Sequence, residues 1–364
     1  MGIKMSKTIF FITNALSGGG AERVMSNLAN YLIDKGYCIK FILLNGDEVV
    51  YPLNASAEII VRPDIQDKDT MAQIKFLHKY MKKNKDALFV SFFTHQNLYT
   101  ILAAIGTGVK VLVSERNDPA NSFTQKIQKF GDPARKILYK NKNCKKIVFQ
   151  TQGAADYFDQ SINDKGIVIP NPLKDGLPEP YTGERKKTAV AVGRFNPQKN
   201  YKLMLDAFAQ FSEKHPDYKL EIYGDGALRT TMENYIERLG LTDKIELCGF
   251  CKNVHERIID AGMYVMSSDF EGLSNAMLEA LAIGLPVVTT DHPPGGARAY
   301  ITDYENGILT PVGDIDAMAK AMRYVAEHPE KAQEMGQKAS RIREELSADN
   351  ICEKWKKVFD DILK

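Results

Sequence analysis

The sequence predicts an α/β protein made of two doubly wound domains with parallel sheets, and three observations support this. Short apolar segments alternate with longer amphipathic ones along the whole chain, as in parallel strands joined by helices. The alternation is interrupted once, by a segment rich in proline and charge, and then starts again. At 364 residues the chain is long enough for two cores of ordinary size.

The first half of the alternation predicts a Rossmann-like domain over residues 1–172. Its strands are expected in the segments TIFFITN, CIKFILLN, ALFVSFF, KVLVSE and KIVFQT. A helix is expected from about Ala21 to Lys35, because Val24, Leu28 and Leu32 fall on one helical face.

Residues 173–187 are predicted to form a linker. Four of the fifteen prolines lie in the 19-residue segment IPNPLKDGLPEPYTGERKK, together with several charges. The second domain is then expected over 188–346, with strands in TAVAVGR, KLEIYGDG, IELCGF, MYVMSS and PVVTT. Its helices are expected at about 201–214, 228–239 and 274–283.

The last segment, 347–364, predicts one more amphipathic helix, from about Ala348 to Leu363. Ile351, Trp355 and Phe359 recur at helical spacing on it. The stripe can cap either domain, including by crossing back to the N-terminal one. The two domains are expected to face each other across a cleft, with ligands at the carboxyl ends of the strands.

Composition excludes several classes of protein. The net charge of +2 provides no overall field that would attract nucleic acid, so no nucleic-acid partner is expected. The N-terminal apolar run is short, and no run approaches the roughly 18 residues that a membrane span needs. We therefore expect a cytoplasmic protein that at most lies on the inner face of the cell membrane.

The segment SGGGAER, residues 17–23, follows the first strand and opens the first helix. Consecutive glycines let backbone N–H groups approach a phosphate or a sugar closely. The segment is neither G-x-G-x-x-G nor a P-loop, since Ala21, Glu22 and Arg23 come next. It is also compatible with a simple tight turn between strand and helix.

The segment VGRFNPQKN, residues 192–200, follows the first strand of the second domain. Arg194 and Lys199 lie five positions apart across a turn that contains Pro197. Two cations at a strand end suit a diphosphate, although two solvated surface charges would produce the same pattern.

The segment EGLSNAMLEA contains two glutamates eight positions apart, Glu271 and Glu279. Ser274 or Asn275 is a good helix N-cap, so Glu271 is expected in the loop before a helix and Glu279 inside it. Two carboxylates for a sugar and a ribose, with free N–H groups between them for a diphosphate, suit a nucleotide-sugar. An acidic helix start and a surface glutamate remain the plainer interpretation.

Taken together, the segment EGLSNAMLE resembles the E-x₇-E motif of the retaining glycosyltransferases of family four, which have the GT-B fold. GGAER and VGRFNPQKN match the other two landmarks of that family, in order and in spacing. The resemblance covers nearly the whole chain and is greatest to bacterial enzymes that extend lipid-linked or surface polysaccharides. It implies transfer of a hexose or N-acetylhexosamine from a nucleotide-sugar, UDP-linked, to a glycan or undecaprenyl-diphosphate-linked acceptor.

The resemblance also implies roles for individual residues. Arg194 and Lys199 would hold the donor diphosphate and stabilise its departing charge, and Glu271 would contact the transferred sugar. No cofactor and no metal is implied, because cations and helix dipoles neutralise the diphosphate in this family. The remaining residues implied to bind the donor are Gly19, Gly20, Gly193, Gly224, Gly226, Phe250, Leu273, Ser274, Asn275 and Glu279.

The chain departs from the family pattern at several positions. Many relatives have proline at the position of Ser274, and many have a histidine near the sugar where Arg116 and Asn117 stand here. His95, in FFTHQN, is the nearest alternative to that histidine. Residues expected to contact the acceptor or the sugar are therefore His95, Arg116, Asn117, Gly295, Gly296 and Arg298.

Residues 120–147 form a basic segment in an otherwise nearly neutral chain. They contain eight basic residues and one acid, Asp132, and Phe123, Ile127 and Phe130 lie among them. Such a surface suits an anionic membrane or a lipid diphosphate, although a solvated basic face would have the same composition. The residues expected to face the membrane are Lys126, Lys129, Arg135, Lys136, Lys145 and Lys146.

Other classes of protein compete with the glycosyltransferase. A non-catalytic GT-B binding protein is disfavoured because both glutamates and both cations are present. A Rossmann oxidoreductase is disfavoured because the first strand lacks G-x-G-x-x-G. A nucleotide-sugar epimerase would bind the same ligand, so it stays an alternative that only product analysis separates.

Overall fold

The chain divides into two compact units in the computed structural model, which describes residues 7–66 and 69–364. The side chains of residues 125 and 126 also lie outside the described part. Unit 1 contains the chain up to Pro172 together with Ala348–Lys364, and unit 2 contains Leu173–Ser347. The proline-rich segment predicted as a linker belongs to unit 2, and its last residues already form a strand.

Unit 1 is built on a seven-stranded sheet in which every neighbouring pair is parallel. Its order is β3-β2-β1-β4-β5-β6-β7. The strands are β1 (Thr8–Thr13), β2 (Cys38–Leu43), β3 (Glu58–Val61), β4 (Leu88–Phe92), β5 (Lys110–Ser114), β6 (Cys144–Phe149) and β7 (Gly166–Val168). The helices are α1 (Gly20–Asp34), α2 (Thr70–Lys83), α3 (Thr94–Ala104), α4 (Gln125–Tyr139), α5 (Gln152–Asp156) and α6 (Gln160–Asn163).

Unit 2 is built on a six-stranded sheet that is also parallel throughout. Its order is β10-β9-β8-β11-β12-β13. The strands are β8 (Lys186–Val192), β9 (Lys219–Tyr223), β10 (Ile245–Gly249), β11 (Ala261–Met266), β12 (Val287–Thr290) and β13 (Ile308–Thr310). The helices are α7 (Tyr201–Lys214), α8 (Arg229–Arg238), α9 (Val254–Ile258), α10 (Asn275–Ala282), α11 (Ile315–Glu327), α12 (Pro329–Ala339) and α13 (Ile342–Glu345).

The last helix, α14 (Ala348–Leu363), packs against unit 1 and completes its core. The ring of Trp355 stacks on Phe92 with centroids 5.5 Å apart, and Trp355 is fully buried. Lys110 Nζ donates to the carbonyl of Ile362 at 2.5 Å, so a cation caps the helix C-terminus. The apolar stripe predicted on this helix is therefore core of the N-terminal unit.

Each sheet has one topological switch point, where consecutive crossovers depart in opposite directions. In unit 1 it lies between β1 and β4, and in unit 2 between β8 and β11. Ligands of open parallel sheets bind in the crevice at this point, outside the carboxyl ends of the strands. The predicted fold class, with two doubly wound parallel sheets, is confirmed, and the switch points indicate where a site should be sought.

Candidate active site

The loop after β8 is fixed by backbone and side-chain contacts on both sides. Asn196 and Asn200 each cap a helical turn, and Asn200 adopts a left-handed conformation with φ of 42°. Asn200 Nδ2 also donates to Asp269 at 2.7 Å, and Ser267 Oγ donates to the carbonyl of Lys199 at 2.9 Å. The loop after β8 is therefore attached to the segment that follows β11, its neighbour in the sheet.

This attachment brings together two residues that are 72 positions apart in the sequence. Lys199 Nζ lies 2.6 Å from Glu271 Oε1, and both side chains are largely buried. Ser268 Oγ donates to the same carboxylate oxygen at 2.9 Å, and the backbone N–H of Glu271 donates to the carbonyl of Pro293 at 3.1 Å. A cation and a carboxylate, both predicted to carry the reaction, thus form an ion pair at the switch point of unit 2.

Arg194, the second predicted phosphate-binding cation, lies apart from this pair. Its side chain is exposed, and it forms no hydrogen bond or ion pair within residues 7–66 and 69–364. Its backbone carbonyl accepts from Asn196, which holds the turn. The guanidinium is consequently available for a ligand from solvent.

The helix α10 begins as the sequence predicts. Ser274 is its N-cap and accepts from the backbone N–H of Met277, while Gly284, with φ of 77°, follows its end. Leu273 and Ser274 are buried and Asn275 is half-buried. The helix N-terminus therefore lies three or four residues after Glu271, where its N–H groups can bind an anion.

Glu279 is not a surface residue. It is buried on α10, where its Oε2 lies 2.7 Å from Nε2 of His255 on α9, which is also buried. Sequence reasoning missed His255, because a single histidine in VHERI has no motif around it. Only the packing of α9 near α10 brings the two together.

Three glycines predicted to bind the donor have a packing reason to be glycine. A Cβ on Gly224 would lie 1.9 Å from the carbonyl oxygen of Gly193, and one on Gly226 would lie 2.6 Å from that of Phe195. A Cβ on Gly193 would meet the side chains of Tyr201 and Lys199 at 3.0 and 3.2 Å. These glycines let the β9 loop pack against the loop that carries Arg194, and their contact with a donor stays a prediction.

Phe250 lies at the end of β10 and is 84% exposed. A phenylalanine this exposed presents its aromatic face to solvent, which suits stacking on a planar base. It lies only four residues before α9, which carries His255.

The loop after β12 carries one residue that sequence reasoning missed. His292 is fully buried, and its Nε2 forms no hydrogen bond to the described residues. Burial lowers the pKa of its imidazole, against the opposing influence of Glu271. No sequence motif marks this residue; its burial beside the Lys199–Glu271 pair is visible only in the structure.

The same loop carries three predicted sugar or acceptor contacts. A Cβ on Gly296 would lie 2.4 Å from the carbonyl oxygen of Gly272, so this glycine lets the loop touch the segment after Glu271. Gly295 has φ of 93°, a conformation that favours glycine. Arg298 is exposed and donates through Nε to Asp291 at 2.7 Å.

In unit 1 the residues predicted to bind the ligand differ in their exposure to solvent. Gly19 is the buried N-cap of α1, and Gly20 is its first, exposed residue. His95 is exposed on the first turn of α3, edge-on to Phe123 with ring centroids 5.5 Å apart. Asn117 is half-buried after β5.

Arg116 is buried within unit 1, where the sequence analysis predicted a sugar or acceptor contact. Its guanidinium lies 4.6 Å from the ring centroid of Phe92 and donates to Asn171 at 2.9 Å. Burial lowers its pKa to about 9. The side chain thus packs beside Trp355 of α14, and contact with a ligand would require it to leave this packing.

The residues predicted to face the membrane do not form one surface, and the prediction is wrong for Arg135. Its guanidinium is fully buried, pairs with Glu115 at 3.6 Å and also with Asp132, so it points into unit 1. Lys129 is exposed, and Lys136 pairs with Asp132 at 2.8 Å. The side chain of Lys126 lies outside the described part. Lys145 and Lys146 lie on β6, exposed and half-buried respectively.

The outer face of α4 carries apolar side chains that the sequence analysis only partly singled out. Ile127 is 51%, Phe130 80% and Ile137 71% exposed. Lys129 and Lys136 lie on the same helix. We refer to these five residues as the α4 surface.

Two parallel sheets with polar groups at their switch points define a Rossmann-like ligand-binding protein of two domains. Residues 178–342 match the family described as glycosyl transferases group 1. The resemblance to glycosyltransferases that the motifs predicted is confirmed over this part of the chain, which includes the segments that carry Lys199 and Glu271.

Relatives and solved structures extend the likeness to the whole chain. An uncharacterized glycosyltransferase of Haemophilus influenzae is 26% identical, over 98% of this chain and 100% of the relative. An α-1,4-N-acetyl-D-galactosaminyltransferase of Campylobacter jejuni, named for a diphospho-undecaprenol-linked glycan, is 26% identical over 97% of this chain and 98% of its own. The crystal structure of HepE from Anabaena in complex with UDP superposes with a TM-score of 0.79 at 16% identity, covering 98% and 100% of the two chains. The fold is therefore GT-B.

Proposed function

We propose that this glycosyltransferase is a retaining enzyme that transfers a hexose or N-acetylhexosamine from a UDP-sugar to a lipid-linked glycan, without a metal ion. The observation that carries the proposal is the Lys199–Glu271 ion pair, 2.6 Å long, directly before the N-terminus of α10. The UDP bound by HepE and the lipid-linked acceptor in the name of the Campylobacter enzyme support the choice of substrates.

The donor diphosphate binds to two cations, of which one is exposed and the other is held in an ion pair. Arg194 is exposed and binds the phosphate oxygens as a fork, while Lys199 is a point charge already positioned by Glu271. The N-terminus of α10 adds backbone N–H groups. Together these groups take over the charge neutralisation that a metal ion supplies elsewhere.

The transfer step breaks one bond and forms one. The bond between the anomeric carbon of the sugar and the β-phosphate oxygen breaks, and its electron pair leaves with UDP. The acceptor hydroxyl oxygen bonds to the same carbon from the same face, and its proton passes to a phosphate oxygen. Lys199 and Arg194 stabilise the charge that develops on the diphosphate. Glu271 contacts the sugar, and Glu279 accepts hydrogen bonds from the ribose.

Donor specificity is tested by calorimetric titration of the full chain with UDP, GDP, ADP and NAD in EDTA. Binding of UDP alone is expected. Binding of GDP instead would retain the reaction class and change the donor. Binding of NAD, or of none of the four, contradicts the proposal.

Retention is tested separately by the anomeric configuration of the product. Incubation with UDP-linked hexoses or N-acetylhexosamines and a polyprenyl-diphosphate-linked glycan should release UDP and form an α-glycoside from an α-linked donor, as read by proton NMR. A β-glycoside contradicts retention. Release of an epimerised nucleotide-sugar without transfer would support the epimerase. Binding of UDP with neither product would support the non-catalytic binding protein.

The protein also contacts anionic lipid through the α4 surface. Exposed Phe130 and Ile137 provide apolar side chains that insert at a headgroup boundary, and Lys129 provides a charge attracted to anionic lipid. Among the described residues, no helix is long and apolar enough to cross a bilayer. A peripheral site on the cytoplasmic face, where nucleotide-sugars are available, suits an enzyme with a lipid-linked acceptor.

Flotation with vesicles that contain anionic lipid tests this contact. A Phe130→Ser/Ile137→Ser variant should lose most of the bound fraction, and Ile105→Ser, which changes an exposed apolar residue directly after α3, should not. Neutralising Lys145 and Lys146, or adding salt, should weaken binding to a smaller extent. Unchanged flotation of the double variant would remove the α4 surface from the proposal.

A further inference from the structure

The buried pair of His255 and Glu279 links two segments of unit 2 that the proposed function assigns to the nucleotide. His255 lies on α9, which starts four residues after exposed Phe250. Glu279 lies on α10, the helix whose N-terminus follows Glu271. The contact therefore connects the segment assigned to the base with the carboxylate assigned to the ribose.

The short contact between the two side chains assigns His255 a role as hydrogen-bond donor. Nε2 of His255 lies 2.7 Å from Oε2 of Glu279, and a carboxylate oxygen accepts hydrogen bonds. For an ionised Glu279, which can only accept, Nε2 of His255 is therefore the donor. Both side chains are more than nine-tenths buried, so solvent does not compete for this hydrogen bond.

A buried carboxylate that loses one of its donors can turn towards its remaining partners, and this change alters its use as a ribose acceptor. The ring of His255, held on a separate helix, restricts the rotation of the Glu279 carboxylate. We infer that His255 is a positioning residue, which holds Glu279 in the orientation that accepts the ribose hydroxyls of the donor. This inference rests on the proposed function, in which Glu279 binds ribose.

Calorimetry with UDP and with 2′,3′-dideoxy-UDP tests the inference directly. His255→Leu, which removes the donor but keeps the bulk, should weaken UDP binding about tenfold, since a lost bond to a charged group has effects of this order. The same variant should bind 2′,3′-dideoxy-UDP as the wild type does, because that ligand offers no ribose hydroxyl. Equal losses for both nucleotides overturn the inference and indicate a general disturbance of the site.

The chain offers a matched control in a second histidine–glutamate pair of unit 2. His215 Nε2 lies 3.3 Å from Glu327 Oε1, between the end of α7 and α11. His215→Leu removes a similar contact from outside the proposed site and should leave UDP affinity unchanged. A tenfold loss in His215→Leu as well would overturn the specific role of His255.

A double-mutant cycle separates positioning from direct contact. Glu279→Gln should itself weaken UDP binding, and adding His255→Leu should have no further effect, because the residue it positions is gone. His255→Gln, which retains an N–H donor, should restore most of the affinity and serves if the leucine variant does not fold. A folded glutamine variant as weak as the Leu variant overturns the inference.

The same measurements distinguish failure of this inference from failure of the proposed function. If wild-type protein binds none of the nucleotides, the proposed function fails. If the wild type binds UDP, Glu279→Gln weakens binding and His255→Leu does not, only the role of His255 fails. In steady-state assays of the full enzyme, His255→Leu should raise the KM for the UDP-sugar and leave kcat nearly unchanged, as expected for a residue that acts through donor binding.

Discussion

Both units bury a glutamate just after a central parallel strand, but the two glutamates have different surroundings. Glu115, after β5, accepts from Thr94 at 2.8 Å and from Tyr139, and it faces the buried guanidinium of Arg135. Glu271, after β11, forms a 2.6 Å ion pair with one lysine and accepts from one hydroxyl. Both positions are at a carboxyl end of a parallel sheet, where a ligand site is expected.

The difference lies in what the partners hold in place. Arg135 and Tyr139 belong to α4, so the network around Glu115 fastens that helix to the sheet. Burial, and then Glu115, raise the pKa of Tyr139 well above its usual range, which keeps the phenol protonated as a donor. The partners of Glu271 come from loops at a switch point, before a helix N-terminus, and the loop that supplies Lys199 also carries the exposed Arg194. A buried charge at a strand end therefore indicates a ligand site only where an exposed charged side chain lies on the same loops.

The comparison predicts the largest effect for Arg135→Met. Removing the cation leaves Glu115 buried opposite no charge, which should lower the free energy of unfolding of unit 1 by about 3–5 kcal/mol. Trp355 is the only tryptophan and lies in unit 1, so its fluorescence during urea unfolding reports this unit. Lys129→Met, an exposed change on the same helix, should shift stability by no more than about 0.5 kcal/mol.

The adverse outcome for Arg135→Met is a loss no greater than that of Lys129→Met. Adding Glu115→Gln to Arg135→Met should recover part of the loss, because no uncompensated charge then remains. If the double variant is as unstable as the single one, packing and not charge accounts for the loss.

The corresponding change in unit 2 should affect activity more than stability. Lys199→Ala is expected to lower kcat about 10²–10³-fold, the usual loss when one donor to a developing negative charge is removed. Sugar transfer from the UDP-sugar measures it, and circular dichroism checks the fold. Lys202→Ala, an exposed lysine paired with Asp206 on α7, is the matched control and should retain activity. Undiminished turnover of Lys199→Ala would contradict the role given to the ion pair.

Two glycines of unit 2 differ in the space around their Cα atoms, although both have a positive φ. Gly224→Ala should destabilise unit 2 by clearly more than the roughly 1–2 kcal/mol of backbone strain alone, because its Cβ would also lie 1.9 Å from a carbonyl oxygen. Gly240 also has a positive φ but nothing within 4 Å of its Cβ, so Gly240→Ala should cost only about 1–2 kcal/mol of backbone strain. Hydrogen exchange of unit 2 peptides measures both, and equal losses would show that the loop relaxes around the new methyl group.

The smallest expected effect is a pH dependence at the surface of unit 1. Burial by itself would raise the pKa of Asp360, but hydrogen bonds from Lys7, Tyr37 and Lys356 lower this pKa from 3.8 to about 2. The folded state then binds fewer protons than the unfolded state, so this stabilisation is complete above about pH 4 and is lost as the pH falls towards 2. Asp360→Asn should remove less than about 1 kcal/mol, because Lys7 is nearly half exposed. Trp355 fluorescence during acid unfolding measures it, and an unchanged acid limb would contradict this assignment.

Regular elements with long periodic patterns could be predicted from the sequence. The helices at 201–214 and 348–363 have the predicted ends, because strong apolar stripes define both. The strands Glu58–Val61, Gly166–Val168 and Ile308–Thr310 were missed. All three are edge strands of three or four residues, which the neighbouring strand induces through pairing more than their own composition does.

Local patterns were enough to predict the fold class, the resemblance to glycosyltransferases and the segments that carry the candidate site, because periodicity, glycines and cap residues act locally. Which charged side chains meet depends on the tertiary structure. Lys199 reaches Glu271 because β8 and β11 are neighbours in the sheet, and His255 reaches Glu279 because α9 packs near α10. It also turned Arg135 inward, where the sequence showed only one more cation in a basic segment. Contacts between residues distant in the chain depend on strand order and helix packing, which a local pattern does not contain.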